Sequence, residues 1–463
     1  MSTARTSVPI AEERARPRAW HWPRAAGLPG LRRLAAGWRQ LTLVLLVSLI
    51  ARIPFVPLYA YLPDGSLDEN DWKGWMQALH EHGFLNIFRT SDTNYVGYHW
   101  VLWPLSVVYG WFGGTYGHDG GALHVLVKAP IIGFDMLLIC IVYAATAVLA
   151  SEGESGDVTR VAARATHLAL IAALVIALQP GAIYDSAIWP NTDSLATAAM
   201  LAAIVLAYQG RAGFAAGVWT FGFLMKPQPI VILPLLVLIA CRRDGLRALV
   251  EASAAGAVVG LAMTGPWLLH GDFIRILHVY RLLFHDRAPV LSWSAWNIWR
   301  FWDATVHPAA DSRAFLFITY RSIGLALSAV AAVIALAYAW VRSDLRGALI
   351  AGAYLAFAFY MLPVTTHERY LFPILGLLLP VAMVERRWFW IYVPVSAIFF
   401  FNLLTAAPPI KSLDGTHIHD PLFLAGAAIN VLIFAAYTGA LLPKAWGVVE
   451  EARGRLVKQP AVA

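Results

Sequence analysis

Apolar residues in this chain come mostly in unbroken runs, with short polar stretches between them. The first run extends from Leu41 to about Leu62, and another from Ala122 to Ala150. Further runs lie near 162–179, 194–209, 212–225, 227–241, 247–269, 314–341, 347–363, 370–384, 388–406 and 421–442. Segments of this length match the hydrocarbon thickness of a bilayer. In lipid, a helix satisfies its own backbone polar groups. The pattern therefore predicts an all-α, polytopic transmembrane helix bundle of about twelve spans.

One stretch departs from this pattern. In Ser66–Leu85, SLDENDWKGWMQALHEHGFL, the apolar residues Trp72, Trp75, Met76 and Leu79 recur at i, i+3, i+4, i+7, an amphipathic helix. Ser66 and Glu69 have the spacing of a capping box, so the helix is expected to begin there. A Trp-rich stripe next to a span predicts an interfacial helix, with Asp68, Glu69 and Asp71 at its watery end. Tyr95–Phe112, with Trp100, Trp103, Trp111 and Pro104, reads as a second interfacial helix.

Composition strengthens the membrane assignment: 59% of the 463 residues are hydrophobic and 14% charged. A soluble domain carries about a quarter charged residues. The net charge of +7 does not call for a nucleic-acid partner, because the arginines fall in short loops. Arg160, Arg164, Arg242, Arg243, Arg386 and Arg387 then gather on one side, as the positive-inside rule requires. Residues 1–40 read as a basic cytoplasmic arm, 41–442 as one transmembrane domain, and 443–463 as a cytoplasmic tail. Both ends lie inside, and the outer segments are 63–121, 180–193, 270–313 and 407–420. Cys140 and Cys241 sit in or at the end of apolar runs and do not form a disulfide framework. The fourteen histidines show no HExxH spacing.

The outer segments carry the candidate chemistry. They hold Asp185, Trp189, Asn191 and Asp193; Lys226; Arg281, Asp286, Arg287, Trp293, Trp296 and Trp299; and His367, Glu368 and Arg369. Ionisable groups at membrane depth are costly and point to function. Together they predict a cavity with acids from 68–71 and 193 on one wall and cations from 226, 281, 367 and 369 on the other. Arg and Lys can neutralise a phosphate leaving group, and His can donate to it. A facing carboxylate can take the proton of an acceptor hydroxyl. Lys128 and Asp135, two turns apart, are expected to pair with other spans.

Several stretches resemble, in order, the GT-C class of membrane glycosyltransferases. The similarity is to the dolichyl-phosphate-glucose-dependent glucosyltransferases of asparagine-linked glycosylation and to bacterial polyprenyl-phosphate-mannose enzymes. LDENDWKGWMQAL resembles the first-loop motif, in which an Asp about seven residues before a Trp is the proposed base, here Asp68. NYVGYHWVLWPL is similar to a helix with paired prolines, of which only Tyr98 and Pro104 correspond. KAPIIGFD, PGAIYDSAIWPNTDSL, FLMKPQPIVILPL and VYRLLFHDRAPVLSWSAWNIW resemble later segments, and THERYLFP resembles the family's His-Glu-Lys/Arg motif.

The resemblance implies transfer of a hexose, mannose or glucose, from a polyprenyl-phosphate donor to a glycolipid or glycan hydroxyl with inversion. The active site would open on the outer side of the membrane, which the Ala/Arg-rich composition suggests is a bacterial cytoplasmic membrane. It implies Asp68 as base with Asp71 in reserve, and Lys226, His367, Arg369 and Arg281 on the donor phosphate. Glu368, Asp193, Trp189, Tyr98 and Trp296 would contact sugar or acceptor. No cofactor is required by the motifs, although family members differ on a divalent cation (Mg or Mn) bridging Asp68 and the donor phosphate. The rival expectations are a transporter or flippase of lipid-linked sugars, and transfer to protein hydroxyls.

Overall fold

The computed structural model describes residues 37–62, 66–116, 121–152, 157–283, 290–303, 308–410 and 421–457. Most of the basic arm, Asp64, Asp286, Arg287 and the end of the tail lie outside them.

The chain is almost wholly helical. α1 (Trp38–Arg52) leads through a 3-10 turn into the first loop, which holds α2 (Glu69–His82) and α3 (His99–Trp111). α4 (Ala122–Ser151) and α5 (Val158–Ala177) form an antiparallel pair, and a π-turn, Tyr184–Ile188, precedes α6 (Asp193–Tyr208). Then come α7 (Ala212–Met225), α8 (Leu233–Arg243), α9 (Leu246–Leu269) and α10 (Phe273–Arg281). The last third holds α11 (Tyr320–Val341), α12 (Leu345–Met361), α13 (Phe372–Val384), α14 (Phe389–Ala406) and α15 (Pro421–Val457). Two-residue strands β1 (Ser292–Trp293) and β4 (Thr366–His367) pair in parallel, Trp293 opposite His367. A small hairpin, β2 (Arg313–Phe315) and β3 (Ile318–Thr319), precedes α11.

Among the described residues, seven helices are long and apolar enough to cross a membrane, against the twelve expected. A helix stands at each of the other five expected spans, but these helices have only 16, 14, 11, 17 and 13 residues. At about 1.5 Å per residue they fall short of a hydrocarbon core of about 30 Å. Three of them, α6, α12 and α13, are the most deeply buried helices, packed on one another, and α6 and α13 pack also on α4. The long helices surround them, and α9 buries only Ala248 and Trp267. Helices enclosed by protein can stop early, because their loose ends need not meet lipid. Those ends carry the candidate site.

The first loop corrects two expectations. The helix does not begin at Ser66: α2 begins at Glu69, with Asp68 at its N-cap and making no side-chain cap. Nor does the Trp stripe face a lipid interface. Trp72, Trp75, Met76 and Leu79 are all buried against α3, α4 and the ends of α9 and α10. Trp72 stacks on Tyr95 at 5.4 Å, and its indole donates to the Pro190 carbonyl at 3.1 Å. The stripe thus clamps α2 to the segment that follows the π-turn. α3, at 13 residues, packs along α2.

Candidate active site

Proline breaks the short helices where charge is needed. Pro227 pushes the residue before it out of the helical region, so Lys226 ends α7 extended at φ −156°, ψ 129°. The Leu224 carbonyl, next to this break, accepts from Gly97 N at 2.8 Å. A Cβ at Gly97 would lie 2.9 Å from that oxygen, so only glycine allows the approach. Pro363 follows α12 and starts the turn that carries His367, Glu368 and Arg369. Ser294 and Thr365 have φ of 51° and 61°, and lie next to the strand pair that holds His367. Left-handed backbone at such residues costs about 1–3 kcal/mol each and concentrates at functional sites.

Asp68 and Arg369, 301 positions apart, meet here. Arg369 Nη1 donates to Asp68 Oδ2 at 2.9 Å, and the Trp189 indole donates to the same oxygen at 3.0 Å. Arg369 also lies 5.3 Å over the Trp189 ring. The Asp68 carboxylate is 23% exposed, whereas its partner is nearly enclosed. Beside it, Lys226 Nζ donates to Asp193 Oδ2 at 2.6 Å, both side chains fully buried. Acids and cations therefore interleave as pairs instead of forming the two opposed walls expected.

Acids outnumber cations in this cluster. Glu368 is buried, with Oε1 3.6 Å from Arg369 and without a hydrogen bond. Burial pushes its carboxyl up to about 7, although Arg369 pulls the other way. Asp185, on the π-turn, is buried, and desolvation and then the Asp193 carboxylate hold its acid well above the usual carboxylate range. Both acids can therefore carry a proton near neutral pH.

The other expected site residues scatter. His367 stacks parallel on Trp293 at 5.7 Å, beside Tyr370. Arg281 ends α10 with its side chain exposed. Tyr98 is a core ring against Trp72 at 4.7 Å, and its buried hydroxyl lacks a partner. Trp296 does not face the site. Its ring packs between Phe423 and Gly426, where an added Cβ would clash, and Asn430 holds its carbonyl. Asp71 is exposed on the surface of α2.

Glu69 belongs to a separate cluster. It is 3% exposed and takes Lys73 at 2.8 Å and His124 Nδ1 at 2.9 Å. Burial raises its carboxyl, but the hydrogen bonds from His124 and Lys73 outweigh this and hold it below the usual range. His124 Nε2 lies 2.6 Å from the Val56 carbonyl, and Lys128 donates to Val56 and Leu58 carbonyls. Asp135 pairs with Arg52 of α1 at 2.7 Å, as expected of a charge that must reach another helix. Arg52 also donates to Ser186 on the π-turn and to Ser48.

Sequence reasoning overlooked Arg52, although one arginine inside an apolar run is a signal. It also left Asp185 out of the site, though the acid lies between Pro180 and Pro190. Asp68 and Asp193 each commit an oxygen to a cation, and among the described residues no group of three His, Cys, Asp or Glu side chains stands ready for a metal ion.

Compared with models of known families and with curated proteins, the chain gives no match.

Proposed function

We propose that the chain is a GT-C-type hexosyltransferase of about twelve spans. It moves a hexose from a polyprenyl-phosphate donor to a glycolipid or glycan hydroxyl on the outer side of a bacterial cytoplasmic membrane. The observation that supports this most is Asp68, a half-buried carboxylate between Trp189 and Arg369 at the edge of a buried charged cluster.

Both hydrogen bonds to Asp68 fall on Oδ2, so Oδ1 is the oxygen offered to an acceptor. Asp68 takes the proton of the acceptor hydroxyl as that oxygen attacks the anomeric carbon. The bond from that carbon to the phosphate oxygen breaks, and the electron pair leaves with polyprenyl phosphate. Arg369 and Lys226 stabilise the departing phosphate, and protonated Glu368 supplies a hydrogen bond. In-line attack inverts the anomeric centre. General-base assistance of this kind contributes about 10²–10⁴ in rate.

The test is purified protein with short-chain polyprenyl-phosphate mannose or glucose and membrane glycolipid acceptors. Product of inverted configuration and an equal yield of polyprenyl phosphate are expected. No product with any donor–acceptor pair overturns the proposal. One observation favours a second reading, a proton-coupled transporter: buried acids that hold a proton stand beside broken helices. Proton-dependent uptake of sugar into liposomes without transfer would establish it.

A further inference from the structure

Unpartnered buried polar atoms stand within two residues of Asp193 and of Lys226 along the chain, and those two residues form an ion pair. Thr192 occupies the N-cap of α6, yet its hydroxyl makes no cap and has no partner. Ser194 Oγ, on the other side of Asp193, is equally bare, as is Asp193 Oδ1 itself. Two residues beyond Lys226, at the start of the turn that packs on α6, both Gln228 Nε2 and Oε1 lack hydrogen bonds. These residues are between 0% and 4% exposed, so bulk solvent does not satisfy them. A buried group left without a partner costs about 1–3 kcal/mol. Such groups in a folded protein mark a missing water, ion or ligand.

The mixture of atoms indicates what is missing. Phosphate is an acceptor, and would satisfy the hydroxyls and Gln228 Nε2. It would leave Gln228 Oε1 and Asp193 Oδ1 bare, because these require donors. A polyol supplies donors and acceptors on adjacent carbons, and a primary amide can bind two neighbouring hydroxyls at once. Building on the proposed transfer reaction, we infer that Thr192, Ser194 and Gln228, with Asp193 Oδ1, form the subsite that reads the hydroxyl groups of the donor's hexose. Lys226 then lies at the junction of sugar and phosphate. Asp193 keeps its ammonium oriented through one oxygen and meets the sugar with the other.

The experiment titrates the full chain in detergent with a short-chain polyprenyl-phosphate hexose and, separately, with the same lipid phosphate lacking sugar. The variants are Ser194→Ala, Thr192→Val and Gln228→Leu. Gln228→Leu weakens binding of the sugar-bearing lipid at least tenfold, on the scale of one lost bidentate contact, and the hydroxyl variants weaken it several-fold. The sugar-free lipid phosphate binds all variants within twofold of the original chain. The ligand-free thermal midpoint of Ser194→Ala and Thr192→Val stays level or rises, since no bond is lost. If Gln228→Leu does not fold, these two decide. Equal weakening for both lipids, or none for either, overturns the inference and leaves the transfer reaction standing. If the original chain binds neither lipid, the transfer reaction falls, and this subsite with it.

Discussion

Asp68 and Glu69 are neighbours in sequence, yet they enter regions of opposite character. Glu69 turns into a closed cluster, where Lys73 and His124 pair with its carboxylate (Oε2, without a hydrogen bond of its own, lies 2.8 Å from His124 Nδ1) and the carbonyls of Val56 and Leu58 receive His124 and Lys128. Arg52 and Asp135 extend the same logic deeper, each charge met by a partner. Asp68 turns into an open cluster. There Asp185 Oδ1, Asp193 Oδ1, Glu368 Oε1 and Arg369 Nε are buried without hydrogen bonds, and burial holds the carboxyls of Asp185 and Glu368 above the usual carboxylate range. Closed charge networks fix a fold; a network left incomplete is arranged around something absent. The two regions should therefore fail differently when mutated.

The largest stability effect is expected at Arg52. Arg52→Leu strands Asp135 as an unpaired buried charge, a loss of about 3–5 kcal/mol. Unfolding in detergent should show this, and adding Asp135→Leu should recover much of it. A loss under about 1 kcal/mol would mean the pair does not hold the π-turn in place.

Glu368 gives a pH test of the open region. Its carboxyl titrates at about 4.5 when unfolded and about 7 when folded, so below 4.5 both states are protonated and nothing is lost. Between about 4.5 and about 7 the unfolded state ionises while the folded state keeps its proton, so about 3 kcal/mol of stability is lost across that window and no more above it. Glu368→Gln should flatten the slope between about pH 4.5 and 7. An unchanged slope would show that the acid does not carry the proton.

Glu69→Gln removes charge-assisted hydrogen bonds in the closed region and should cost about 2 kcal/mol. Turnover per folded molecule should stay within about threefold, since no reacting group is touched. A collapse of turnover at unaltered stability would reverse the comparison. Asp71→Asn, on an exposed face, should move stability by less than about 0.5 kcal/mol and leave turnover alone.

How much of this was legible in the sequence depends on which physics decides each part. Apolar runs fix helices locally, so each expected span has a helix. Span length does not follow, because α6, α12 and α13 are enclosed by protein rather than lipid. The period of Trp72, Trp75, Met76 and Leu79 identified a helix but not its neighbour, and a tryptophan stripe serves lipid or protein equally well. Ser66 and Glu69 show the limit of local rules: the helix starts at Glu69, and that carboxylate meets His124, 55 positions away. At the site, THERYLFP and LDENDW pointed to Arg369 and Asp68, which do meet. Trp296 and Trp293 have the same residue type and similar surroundings in sequence. Only folding shows that one is core and the other, 42% exposed, stacks on His367.

The central claim is that Asp68, alone among the acids of the first loop, takes the acceptor proton. Single-turnover transfer by Asp68→Asn, with donor binding measured on the same sample, tests it most directly. The predicted result is a loss of about 10²–10⁴ in rate with donor binding kept within a few-fold. Transfer at the rate of the unsubstituted chain would contradict the account.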